Sequence, residues 1–290
     1  MVKTLTAFIL CLGIGGGQLA NAQSSTVGGE VLPFTTQLDP AIPAFQYGTA
    51  DDEYLTRLRD LYGLEDVVAG RQTDYDKVRA LCVWVHNRWE HDGHSQARNL
   101  DPISILKEAA LGKQFQCIEY STVLTGALSS IGIPARTVYL KTADVETRRS
   151  GASHVVTEAW LRDQQKWVLV DAQWDIIPTL RNTPLSAVEL QKVLATNEPD
   201  LQFATSTGAK GNYYFKWLKP YLYYFDTRLD QRFGVNAAPS SLMLVPEGAP
   251  KPRIFQRTAK ITRMRYTNSV STFYSAPDVV LLSLDPTSQR

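Results

Sequence analysis

Three residues in this chain have the types and the setting for acyl transfer: Cys117, His154 and Asp171. Leu124, Leu128 and Ile131 recur at helical spacing, with Ser121 one turn earlier, so the pattern predicts a helix opened by Cys117. Gly132 and Pro134 end it. A thiol on the first turn of a helix faces unpaired backbone N–H groups and the positive end of the dipole, which stabilise a thiolate. The same N–H groups can receive the oxyanion formed when that thiolate attacks an amide carbonyl. His154, at the start of a predicted strand, is the candidate base. Asp171, at the end of the next strand, is the candidate to hold the imidazole, with Asp175 as its rival beyond Gln173-Trp174.

The elements around these residues follow from pattern. Asp51 to Tyr62 has acids first and apolar residues at helical spacing. Thr73-Asp74-Tyr75-Asp76 begins a second helix carrying Val78 to Trp89, and Asp101-Pro102 begins a short one that Gly112 stops. Arg136 to Leu140, His154 to Leu161 and Trp167 to Asp171 read as strands. A four-residue hairpin loop that pairs Trp160 with Gln165 sets His154 directly opposite Asp171. Asp171 then takes Nδ1 of the ring and leaves Nε2 for the thiol. Cys82 shares a helical stripe with Val78, Leu81 and Val85 and reads as a buried apolar residue; a Cys82–Cys117 disulfide is the alternative. His86, His91 and His94 are spaced by five and three, do not share one helical face, and suggest no metal site.

These segments resemble the transglutaminase-like superfamily. Phe115-Gln116-Cys117-Ile118-Glu119-Tyr120, with Gly132-Ile133-Pro134-Ala135-Arg136-Thr137-Val138, is similar to its nucleophile segment. Ser153-His154-Val155-Val156-Thr157-Glu158-Ala159-Trp160 resembles its histidine strand, and Lys166-Trp167-Val168-Leu169-Val170-Asp171 its Trp-x-x-x-Asp strand. Val83 to Trp89 resembles the helix before the nucleophile, so the likeness covers roughly residues 75–180. The resemblance implies an α+β, papain-like transglutaminase core, a Cys-bearing helix packed on an antiparallel sheet. It also implies Cys117 as nucleophile, His154 as general base and acid, and Asp171 as orienter. Many members have Gly shortly before the cysteine, where this chain has Gln114-Phe115-Gln116. Trp84, Trp89, Gln114 and Gln116 all stay open as oxyanion donors.

The remaining sequence bounds the setting. With 290 residues, 44% hydrophobic and 20% charged, the chain has the make-up of globular protein. Thirty Lys+Arg against 29 Asp+Glu create no field for nucleic acid. Residues 1–22, with Lys3, an apolar run from Leu5 to Ile14 and Ala20-Asn21-Ala22, read as a cleaved signal peptide. The run is shorter than the ~20 residues that span a bilayer, and no later segment qualifies. The expected protein is secreted or periplasmic. An N-terminal arm at 23–47 precedes the catalytic core at 48–195, and a β-rich, aromatic region follows at 196–290. The expected activity is that of a cysteine peptidase or amidase acting through a thioester, with hydrolysis ahead of transamidation. Protein, peptide or cell-wall peptide is the expected substrate, and no cofactor is needed. A peptide- or glycan-binding module without turnover is the competing class. For the aromatic run Tyr213 to Phe225, core packing is the first account and a substrate-gripping surface the second.

Overall fold

The computed structural model describes residues 29–209 and 211–277, so the leader assigned to 1–22 lies outside the described residues. The first helices are α1 (Glu53–Tyr62), α2 (Leu64–Val68), α3 (Asp74–His86), α4 (Pro102–Ala110) and α5 (Cys117–Ser130). Strands β1 (Ala135–Lys141), β2 (Ser153–Leu161), β3 (Lys166–Val170), β4 (Ile177–Leu180) and β5 (Thr183–Pro184) follow. Then come α6 (Ala187–Thr196), β6 (Leu201–Ala204), α7 (Gly211–Leu218), β7 (Tyr224–Arg228) and β8 (Ser241–Leu244). Strands β9 (Ile254–Phe255), β10 (Ala259–Lys260) and β11 (Met264–Thr267) lead to α8 (Val270–Phe273).

Side-chain caps start the helices. The Thr73 hydroxyl accepts from Asp76 N at 3.1 Å, and an Asp101 carboxylate oxygen accepts from Ser104 N at 3.0 Å with Pro102 at the first turn. Each such cap stabilises by ~1 kcal/mol. Helix α3 stops at His86, short of the expected Trp89, because Asn87 leaves the helical path and its amide donates to Val83 O at 2.9 Å. In α5 every residue from Glu119 to Ser130 is buried, so the helix is enclosed on all sides rather than amphipathic. A Cβ at Gly126 would lie 2.5 Å from Pro102 Cγ, so only glycine lets α4 close on α5. Gly132, at φ +77°, ends the segment in the left-handed region.

Six strands form the main sheet in the order β11-β8-β7-β1-β2-β3. The β11–β8 pair is parallel and the others are antiparallel. One core cluster gathers Leu58, Leu81, Leu124, Leu128, Ala135 and Val170 between the early helices and the sheet. A second gathers Phe45, Val138, Leu140, Leu169, Phe225 and Phe273 on the other side. Strands β7, β8 and β11 thus join β1–β3 in one sheet, although they lie beyond residue 195. Among the described residues the C-terminal portion carries six strands, β6 to β11; within it Gly211–Leu218 and Val270–Phe273 are helical, and Ala259 to Tyr266 divides between β10 and β11.

A fully buried ion pair ties the second cluster to the sheet. Arg136 Nη2 lies 2.7 Å from Glu158 Oε2, both side chains being wholly inaccessible. Arg136 Nη1 donates to Phe273 O at 2.6 Å, and the guanidinium stacks on Trp167 at 4.4 Å. Glu158 Oε1 accepts from Ala187 N and Tyr274 OH, both at 2.9 Å. Burial of both charges is offset because both Glu158 oxygens are occupied and Nε, Nη1 and Nη2 of Arg136 each donate a hydrogen bond.

Candidate active site

The hairpin that carries His154 and Asp171 has a different register from the one expected. Trp160 pairs with Trp167 and Leu161 with Lys166, a shift of two residues. Gln165, at φ 51°, closes the turn, and the Arg162 backbone N–H leaves the ladder to donate to Asp74 Oδ2 at 3.0 Å. The two indoles then meet across the strands, 5.6 Å between centroids. Continuing this register sets Asp171 beside Val156, two residues from His154 along β2. The two side chains therefore meet on the diagonal, within reach of long polar groups.

That meeting is close. His154 Nε2 donates to Asp171 Oδ2 at 2.7 Å, with both side chains almost fully buried. The sequence assigned Nδ1 to the carboxylate; the diagonal approach brings Nε2 there instead, which leaves Nδ1 for the thiol. Cys117 lies close enough to His154 to act electrostatically on its ring. Burial works against a charged ring, but the Asp171 carboxylate, its hydrogen bond to the ring and the neighbouring Cys117 outweigh it and lift the imidazole to about 10. Cys117 opens α5 and is half-buried, so the sulfur sits at the helix N-terminus with an imidazolium beside it. Glu119 holds that turn: its two oxygens accept from Ala97 N at 3.0 Å and Gln116 N at 3.2 Å. Such a group can attack an electrophilic carbonyl and protonate the leaving amine.

A family model described as the transglutaminase-like superfamily matches residues 64–172. These residues are a transglutaminase-like core. The match includes Cys117, His154 and Asp171, and the helix on a mostly antiparallel sheet is the fold that the family implies. Among solved structures, the core is similar to a candidate cysteine protease from Cytophaga hutchinsonii, at 16% identity and a TM-score of 0.34 over 61% of this chain and 56% of that one. It is also similar to red sea bream transglutaminase, at 18% identity and a TM-score of 0.30 over 44% of this chain and 30% of that one. The chain thus spans little more than half the length of the first and under a third of the second. Among curated proteins nothing matches.

Around the transglutaminase-like core, three alternatives close: the Cys82–Cys117 disulfide, Asp175 as orienting acid and Trp84 as oxyanion donor. Cys82 and Cys117 are both free thiols, and Cys82 is buried with its sulfur 4.0 Å from Asp171 O. Asp175 does not reach His154: its Oδ2 accepts from Thr205 OH, Ser206 N and Thr207 N and so fixes the loop before α7. Trp84 packs on Tyr62 and under Arg88 at the outer side of α3. Trp89 keeps a buried indole N–H without an acceptor and rests 5.5 Å from Phe115, two residues before Cys117.

Sequence reasoning missed Tyr214. Its hydroxyl donates to Asp171 Oδ2 at 3.0 Å from a fully buried position on α7, while Asp171 Oδ1 accepts from Gln173 N and Trp174 N. Trp217, one turn on, meets the His154 ring edge-on at 4.8 Å. The only signal was the density of aromatics after residue 212, which does not say which ring touches the acid. Replacing Tyr214 by Phe is expected to cost about 1.5–3 kcal/mol of stability, as for a bond to a charged acceptor. With the phenol gone, more negative charge stays on Oδ2, the imidazolium is held more firmly, and the alkaline limb of the pH–rate profile moves up. A limb that moves down, or not at all, would show that the phenol does not bear on the His–Asp pair.

Proposed function

We propose that this chain is an exported thiol-dependent amide hydrolase, with Cys117 as nucleophile, His154 as general base and acid, and Asp171 as orienter. The observation that carries it is the hydrogen-bonded His154–Asp171 pair set within electrostatic range of Cys117, which opens a helix N-terminus. The Cys117 thiolate attacks the carbonyl carbon of an amide, and the carbonyl oxygen takes up negative charge at the first turn of α5. The Trp89 indole N–H, buried and unpaired, is a further donor for that oxygen. As the C–N bond breaks, the imidazolium gives its proton to the leaving amine and a thioester remains on Cys117. Water then attacks the thioester; His154 takes its proton, the acid departs and the thiol is restored. An amine in place of water would give transamidation through the same thioester. Water requires no dedicated site, which favours hydrolysis.

Protein, peptide or cell-wall peptide amides outside the cytoplasm fit the signal-like residues 1–22, and no nucleic acid is involved. The described residues contain no helix long and apolar enough to cross a membrane. The catalytic core is 48–195, and the described residues from 196 to 277 complete its sheet with β7, β8 and β11. The test is iodoacetamide labelling of residues 23–290, followed by intact mass. Labelling of Cys117 at pH 6 is expected, where an ordinary thiol of pKa ~8.5 is almost wholly protonated. It should slow at least tenfold in His154→Ala. Labelling confined to alkaline pH would sink the enzyme and leave a binding module on this fold.

A further inference from the structure

Against α5, the helix that Cys117 opens, the strands β1 and β7 build a corner that the chemistry above does not use. Tyr139 pairs with Asp226, and the same register sets Arg228 opposite Thr137. Thr137 faces α5, where its hydroxyl meets that of Thr125 at 3.2 Å. Side chains alternate along a strand, so Tyr139 and Arg228 rise on that same face. Tyr139 lies within electrostatic range of both neighbours: beyond the effect of burial, Arg228 draws its phenol down and Cys117 pushes it up. A groove of about 210 Å³ opens here, lined by Thr122, Thr137, Tyr139, Arg228, Gln231 and Arg232.

The charges of this corner are settled among themselves, with one exception. Asp226 is paired with Lys141. Asp230 is paired with Arg232 at 2.8 Å. Asp101, at the rim, accepts from Tyr54 OH and from Ser104 N, and Glu119 is held by Ala97 N and Gln116 N. The Arg228 guanidinium alone has neither a hydrogen bond nor an ion pair among the described residues, and it is exposed to the groove. A free planar fork of N–H donors matches a carboxylate in a bidentate manner. The ordinary anion of a peptide is a carboxylate.

We infer that this groove is a substrate subsite that takes a carboxylate of the peptide bound at Cys117, with Arg228 as its cation. The inference rests on Cys117 being the nucleophile. Thiol-directed reagents test it without knowledge of the substrate. Iodoacetyl-glycine carries a chain-end carboxylate, and iodoacetyl-Glu-amide carries one on a side chain; iodoacetyl-glycinamide and iodoacetyl-Gln-amide are their neutral counterparts. In the full chain, at least one anionic reagent is expected to alkylate Cys117 about five- to tenfold faster than its counterpart, and the faster pair tells chain-end from side-chain carboxylate. That ratio should fall to about 1 in Arg228→Gln, and shrink in high salt as screening shortens the reach of the charge. Arg71→Gln, which removes an exposed cation between α2 and α3, should leave it in place. Ratios near 1 for both pairs, or a ratio that Arg228→Gln does not move, overturn the subsite and leave the nucleophile standing. A Cys117 inert to the neutral reagents as well overturns both.

Discussion

In an Asp171→Asn variant, turnover of a peptide amide is expected to fall about 10³- to 10⁴-fold while the fold persists, the scale seen when the acid of such a triad becomes its amide. The reason lies in the four donors around the carboxylate. Gln173 N and Trp174 N point at Oδ1, and His154 Nε2 and Tyr214 OH point at Oδ2. An amide NH₂ in the Oδ2 place faces the ring N–H, so the ring must turn or change tautomer. In the Oδ1 place it faces two backbone N–H groups, and the neutral oxygen left facing His154 no longer holds an imidazolium. The pH dependence should change with it. In the parent protein the Asp171 carboxylate holds His154 protonated, against the cost of burial, up to about 10. The rate is then expected to decline as pH rises through that value, as the proton for the leaving amine is lost. In the Asn variant the decline moves toward the ordinary imidazole range near 6.5. Stability follows the same sign. The folded imidazole is more basic than the unfolded one, so its contribution is complete below about 6.5 and disappears as pH climbs through about 10. Urea unfolding across that window should slope downward in the parent and lie flat in the variant. A variant with near-parental rates and an unmoved limb would remove Asp171 from the mechanism.

Glu158→Ala is expected to destabilise the protein by about 3–5 kcal/mol, because it leaves the Arg136 guanidinium charged, inaccessible and without its anion. It also strands the Ala187 N–H and the Tyr274 hydroxyl. A double replacement, Arg136→Met with Glu158→Leu, should recover much of that loss, since two apolar side chains carry no desolvation penalty. Equilibrium urea denaturation reads both. If Glu158→Ala lost less than about 1 kcal/mol, the pair would not be what joins α8 and the start of α6 to the sheet.

Local sequence carried the positions of Cys117, His154 and Asp171 well, since each sits where a period changes or an element begins or ends. The stop at Gly132, strand β1 and the two hairpin strands were legible for the same reason. The register was not, because it depends on Arg162 reaching Asp74, 88 residues away, and on two indoles finding each other. With the register went the choice of ring nitrogen. Tyr214 was illegible for a similar reason: aromatic residues favour strands, and only the Asp175-held loop at 205–207 shows that this run begins as a helix over the acid. Asp175, in turn, was visible as a rival because it lies four residues from Asp171, yet its partners lie thirty residues on.

The chain also sets a schedule for its own thiol. Tyr214 lies 43 residues beyond Asp171, and Phe273, whose carbonyl receives Arg136, lies 137 residues beyond that arginine. A growing chain that has just made Asp175 already holds the cysteine, the histidine and the acid, but neither the phenol that braces the acid nor the indole that covers the imidazole. Strands β7, β8 and β11, half of the sheet, are also still to come. Synthesis proceeds from the N-terminus at roughly 5–20 residues per second, so the nucleophile spends several seconds present but unassembled. The reactive residues are therefore all made before the phenol, the indole and the half of the sheet that hold and cover them.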